Sequence, residues 1–113
     1  CLVGTGFGYD SDRRRAQARV LLDVLPQVRD IRRLGSAAID LCLVATGELD
    51  LYYERGLNPW DMAAGALVAH EAGALVTGLR GRAADREMTV AGTPEAVARL
   101  VRILEDAGAD SDS

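Results

Sequence analysis

The stretch Asp50-Leu51-Tyr52-Tyr53-Glu54, then Arg55-Gly56-Leu57, then Asn58-Pro59-Trp60-Asp61, reads as a strand passed to a helix through a short loop. Aromatic and aliphatic side chains dominate Asp50 to Glu54, which suits a pleated, half-buried surface. Asn58 can cap a helix, Pro59 pre-sets the first helical φ, and Ala63, Ala64, Leu67 and Val68 carry a helix through to Gly73.

The same alternation extends in both directions. Upstream, Cys1 to Phe7 is a short apolar run that ends at Gly8, and Asp10, Ser11 and Asp12 offer caps for a helix. That helix buries Ala16, Val20, Val24 and Val28, with Leu21 and Leu25 beside them, at a four-residue spacing. Asp30 to Leu34 is a second strand. Ser36 to Thr46 is apolar almost all round, so it reads as a helix buried on most sides, with Gly47 as its stop. Downstream, Leu75 to Leu79 and Met88 to Ala91 are strands, and Thr93-Pro94 opens a last helix with Val97, Leu100, Val101 and Leu104 as its buried stripe. Five strands alternating with four helices predict a layered α/β sandwich whose five-stranded sheet is mixed or mostly parallel. Residues 1–107 are expected to form one domain and 108–113 an acidic, disordered tail.

Composition narrows the function classes. The chain has 113 residues, 49% of them apolar, and a formal net charge of −4. That length suits one domain. The acidic balance provides no basic field for nucleic acid. No apolar run approaches the roughly 18 residues of a membrane span, and no charged-then-apolar leader opens the sequence, so a cytoplasmic protein is expected. All 13 basic residues are Arg, which fits either phosphate recognition or a GC-rich coding bias. Arg13, Arg14, Arg15 and Arg19 crowd a helix start, the wrong end for the dipole, and read as a solvated face. Cys1 and Cys42 have no metal-ligand spacing, so Cys42 is expected to be a buried free thiol.

In open α/β sheets, ligands bind where strands end and helices begin. Three such junctions carry polar groups. Gly4-x-Gly6-x-Gly8 lacks the third glycine of a dinucleotide fingerprint, because Tyr9 stands in its place and Asp10-Ser11-Asp12 delays the helix. These glycines point instead to a tight turn or a close backbone approach. At Gly35-Ser36-Ala37, a helix start exposes free N–H groups that can hold an anion or a ring hydroxyl; Ser36 can equally be a simple cap. At Asn58-Pro59-Trp60-Asp61, the Asp61 carboxylate sits in the first helical turn, where the dipole favours its charged form. It can serve a hard cation such as magnesium or close a capping box with Asn58.

At these residues the chain resembles a known family. Arg33-Leu34-Gly35-Ser36-Ala37-Ala38-Ile39-Asp40-Leu41-Cys42, Tyr52-Tyr53-Glu54-Arg55-Gly56, Asn58-Pro59-Trp60-Asp61-Met62-Ala63-Ala64-Gly65 and Glu71-Ala72-Gly73 are similar to segments of the inositol monophosphatase family. The resemblance implies the C-terminal α/β domain of a magnesium-dependent phosphomonoesterase that hydrolyses myo-inositol phosphate to inositol and phosphate. It assigns Asp61 to a catalytic magnesium, and Gly35, Ser36, Ala37 and Glu54 to the hydroxyls of a small phosphorylated polyol. His70 falls at a position the family leaves variable and reads as a surface or core-edge residue.

The family also uses an N-terminal half with a metal-binding Glu and an Asp-Pro-(Ile/Leu)-Asp-Gly-Thr segment, and no such segment occurs among these 113 residues. A fragment, inactive alone and completed by its missing half or a complementing chain, is therefore expected. Relatives of this kind are commonly homodimers, so a homodimer is one assembly the resemblance implies. The alternatives are a sugar or nucleotide phosphatase of the same superfamily and a non-catalytic interaction module that keeps the fold.

Overall fold

The computed structural model describes residues 2–6, 11–28, 30–32, 37–55, 59–81, 83–84 and 88–109. In chain order they form β1 (Leu2–Thr5), α1 (Ser11–Val24), a 3-10 turn (Leu25–Gln27), β2 (Asp30–Arg32), α2 (Ala37–Thr46), β3 (Leu51–Glu54), α3 (Pro59–Glu71), β4 (Leu75–Thr77), β5 (Thr89–Gly92) and α4 (Pro94–Asp106). The element order is the one read from the sequence, and the sheet is mixed. Its order is β2-β1-β3-β5-β4; β1 is parallel to β2 and β3, while β5 runs antiparallel to both β3 and β4.

Alternation along β3 places two layers on opposite faces of the sheet. Leu51 and Tyr53 join Val3, Val20, Val24 and Val90 in the core that α1 and α4 cover, where Val97, Leu100 and Leu104 supply the stripe of α4. Tyr52 faces the other way and packs with Leu41, Val44, Leu49 and Ala91 beneath α2. Each Leu or Val buried in this way contributes about 1.5–3 kcal/mol. Register between β1 and β3 is pinned at one end, where the Asp50 carboxylate accepts from the Leu2 N–H at 2.7 Å and Asp50 N–H donates to the Leu2 carbonyl at 3.0 Å.

Glycines end the helices where the sequence places stops. Gly47 has φ +83° and Gly73 φ +91°, the left-handed conformation that closes a helix. Beyond them, Glu48 N–H returns to the Leu43 carbonyl at 2.9 Å and Ala74 N–H to that of Ala69 at 3.0 Å. At the start of α4 the Thr93 hydroxyl accepts from Ala96 N–H.

Three expectations change. α2 is not buried on most sides: Ile39 is 54% exposed and Cys42 is an exposed thiol, because only the stripe containing Asp40, Leu41 and Val44 faces the sheet. Val28, read on the buried stripe of α1, falls beyond the helix because the chain tightens into a 3-10 turn at Leu25–Gln27, and Leu25, read beside the stripe, has half its surface open. Gly108 and Ala109, read as tail, belong to the turn after α4, where Ala109 N–H bonds to the Leu104 carbonyl and Ala109 packs into the core; residues 110–113 lie outside the described residues.

Candidate functional site

The parallel strands β1, β2 and β3 all end on one edge of the sheet, and the chain returns from β2 and β3 to start α2 and α3 there. Two helix N-termini therefore open beside the last residues of β1 and β3. The N–H groups and positive dipole end of a helix start favour negative charge at this edge.

Glu54, the last residue of β3, is the predicted site residue whose side chain is described. It is half-buried, and Tyr52, two residues earlier on the same face, donates from Oη to Glu54 Oε1 at 2.8 Å. Tyr52 is completely buried, so its phenol is a fixed donor. The neighbouring strand explains the room this arrangement needs. A Cβ on Gly6 would lie 2.1 Å from Glu54 Oε1, and one on Gly4 would lie 2.7 Å from Leu49 Cδ1, which packs over the strand there. Gly4 and Gly6 thus serve a close approach of side chains to β1, one of the two roles read for them.

The remaining predicted residues are placed by backbone alone. Ala37 is the first residue of α2 and Asp61 the third of α3, so both stand at this edge; their side chains, and Gly35 and Ser36 entirely, lie outside the described residues. His70 is exposed in the last turn of α3, away from the edge.

Asp40 was not singled out from the sequence. It occupies the first turn of α2, is 1% exposed, and among the described residues its Oδ1 accepts no hydrogen bond. Burial, and secondarily the negative charge of Glu54, push its carboxyl up to about 6. The one signal in the sequence is that Asp40 is the lone carboxylic acid of an otherwise largely apolar helix. Tyr53 faces the opposite layer; burial raises its phenol above the ordinary range, and a hydrogen bond with Thr5 partly opposes that shift.

A magnesium ion prefers near-octahedral oxygen ligands, several of them carboxylates or waters. Among the described residues no three His, Cys, Asp or Glu side chains are grouped to hold a metal. The described part of the edge therefore does not build a metal centre by itself.

The model of the inositol monophosphatase family matches residues 1–109. This chain belongs to the inositol monophosphatase family. Among curated relatives, the inositol-1-monophosphatase SuhB of Mycobacterium tuberculosis is 63% identical over 75 residues, covering 66% of this chain and 26% of that protein. A putative Nus factor SuhB of Neisseria meningitidis serogroup B is 41% identical over 107 residues, covering 92% of this chain and 41% of its own length. The solved structure of Mycobacterium tuberculosis SuhB superposes with a TM-score of 0.84 at 48% identity, over 97% of this chain and 43% of that one. The chain thus spans less than half the length of these family members. Their likeness also bears out the layered α/β sandwich. No helix among the described residues is long and apolar enough to cross a membrane.

Proposed function

We propose that this chain is the C-terminal-type, substrate- and metal-binding part of a magnesium-dependent phosphomonoesterase acting on myo-inositol phosphate, with residues 1–109 as its domain. The observation that carries the reading is the Glu54 carboxylate, held by the buried Tyr52 phenol at the edge where α2 and α3 begin. A fixed carboxylate is an acceptor for polyol hydroxyls, and the adjoining helix starts are suited to the anionic group of the same molecule.

In this reading Glu54, with Gly35, Ser36 and Ala37, binds and orients the ring, and Asp61 contributes one magnesium ligand. Bound magnesium would polarise the phosphate and activate water. One carboxylate does not complete a magnesium site, so the remaining ligands belong to protein outside these residues, supplied by an N-terminal half or a complementing chain. The isolated 113 residues are accordingly expected to release no phosphate. The reading carries a cytoplasmic location and no nucleic-acid or membrane partner. A homodimer is compatible with it.

The test replaces the matching stretch of the Mycobacterium tuberculosis relative with this chain. Magnesium-dependent phosphate release from myo-inositol 1-phosphate by the chimera, absent from the chain alone, supports the proposal. A folded chimera without that activity overturns it. The relative named as a putative Nus factor keeps the non-catalytic interaction module as a second reading, which the inactive chimera would favour.

A further inference from the structure

We propose that a cleft at the sheet edge opposite the candidate site binds a small phosphate monoester with an apolar body, and that Arg99 and Arg102 contact the phosphate. This site is independent of the role given to Glu54. The cleft holds about 290 Å³ and lies between α4 and the 3-10 turn that follows α1. Leu51, the first residue of β3, lines it and pairs with Gly92 at the end of β5. Both stand where the parallel strands begin, whereas Glu54 stands where they end.

Charge selects the ligand. Arg99 and Arg102 line the cleft from successive turns of α4, and no acidic residue is among those that line it, in a chain whose formal net charge is −4. Each arginine has a carboxylate at a spacing that allows a helical ion pair: Glu95 four residues before Arg99, and Asp106 four residues after Arg102. Neither pair forms. Among the described residues Arg99 and Arg102 have no ion pair or hydrogen bond. Two guanidiniums are thus left at one cleft, and their planar arrays of donors match the oxygens of a phosphate. A phosphate dianion answers both charges, where a carboxylate answers one.

The rest of the lining suits the body of such a ligand. Val28, Leu100 and Ile103 offer apolar surface. Gln27 lines the cleft too, and its Nε2 donates to the Asp23 carbonyl at 2.9 Å, which leaves that nitrogen a second N–H for a ligand oxygen. The volume is at the small end of ligand pockets, which start at roughly 300 Å³, so one ring bearing a phosphate fits and a dinucleotide does not. Both arginines are exposed, so affinity is modest and falls as salt is added.

Phenyl phosphate is the probe, titrated without magnesium into the full 113-residue chain and followed by NMR at about pH 7.5, where the phosphate is a dianion. Saturable shifts should appear at the Nε signals of Arg99 and Arg102 and at the amides of Val28 and Ile103. Inorganic phosphate, which lacks the ring, and benzoate, which has one charge, should each bind at least about fivefold more weakly. Arg99→Gln and Arg102→Gln should each weaken phenyl phosphate by about threefold to tenfold, and the double variant should abolish saturation. Arg19→Gln, exposed on α1, should leave the affinity unchanged. All are surface substitutions and should melt with the wild type. If the isolated chain does not fold, the same titration of the chimera with the Mycobacterium tuberculosis relative decides the matter. Shifts that do not saturate, that spread over all exposed arginines or that persist in the double variant overturn the proposal. So does equal affinity for inorganic phosphate or benzoate. Shifts confined to the Glu54 edge overturn this site and leave the phosphatase reading standing.

Discussion

Gly6→Ala separates a steric role from a conformational one. The added Cβ would lie 2.1 Å from Glu54 Oε1 and 2.5 Å from its carboxyl carbon. The obstructing atoms are the end of a flexible side chain, so the strand holds and Glu54 is expelled. Expulsion breaks the 2.8 Å bond from Tyr52 and leaves a buried phenol without its acceptor. A hydrogen bond to a charged group contributes about 1.5–3 kcal/mol. Replacing Gly by Ala in an accessible conformation returns about 0.5–1 kcal/mol through the unfolded chain. The net expected loss is about 1–2 kcal/mol. Tyr52→Phe removes the same bond from the other side, so the two changes should not add. Urea unfolding of the wild type, both single variants and the double variant should give a coupling energy of about 1–2 kcal/mol. Additivity within about 0.5 kcal/mol would refute the claim that Gly6 exists to admit Glu54.

Other perturbations follow from the same structure. Gly92→Ala would place a Cβ 2.7 Å from the Asp50 carbonyl oxygen, which is backbone and cannot swing away, so it should cost about 2–3 kcal/mol in urea unfolding, more than Gly6→Ala. Leu100→Ala, in a core site 1% exposed, should cost about 2–5 kcal/mol by the same assay. Asp40 has its folded pKa raised from 3.8 to about 6, so the folded state binds the extra proton between those values. Stability should therefore fall as pH rises from 4 to 6 and level off above (a window roughly spanning the two pKa values), by at most about 3 kcal/mol, and Asp40→Asn should remove that slope in thermal melts. Cys42 should react fully with a maleimide in the native state without denaturant, and a protected thiol would contradict the exposed face of α2.

The fold was legible wherever a segment declared its own period. α4 shows why: Val97, Leu100 and Leu104 form a stripe, Thr93 caps it, and these residues behave as read. α2 shows the opposite. Being apolar nearly all round, it has no stripe to orient it, so Cys42 reads as buried and Asp40 goes unremarked, whereas the sheet turns Asp40 inward and Cys42 outward. The reversal of β5 was also hidden, since strand direction depends on partners distant in sequence. At the candidate site, Asp61 drew attention as a carboxylate at a helix start, and Glu54 only through the family resemblance. The slot that Gly6 leaves for the Glu54 carboxyl, with the Tyr52 phenol bonded to it, brings together two segments distant in sequence, and no local pattern announces it.

The most direct measurement is steady-state hydrolysis of myo-inositol 1-phosphate by the chimera, with Glu54→Gln and Asp61→Asn compared over a magnesium series. Glu54→Gln should raise KM by at least about tenfold at a largely retained kcat, as expected for lost ring binding. Asp61→Asn should reduce kcat by about a hundredfold or more, partly restored by excess magnesium, as expected for a lost metal ligand. Equal, magnesium-independent activity in the wild-type chimera and both variants would contradict the assignment of this edge as the substrate and metal site.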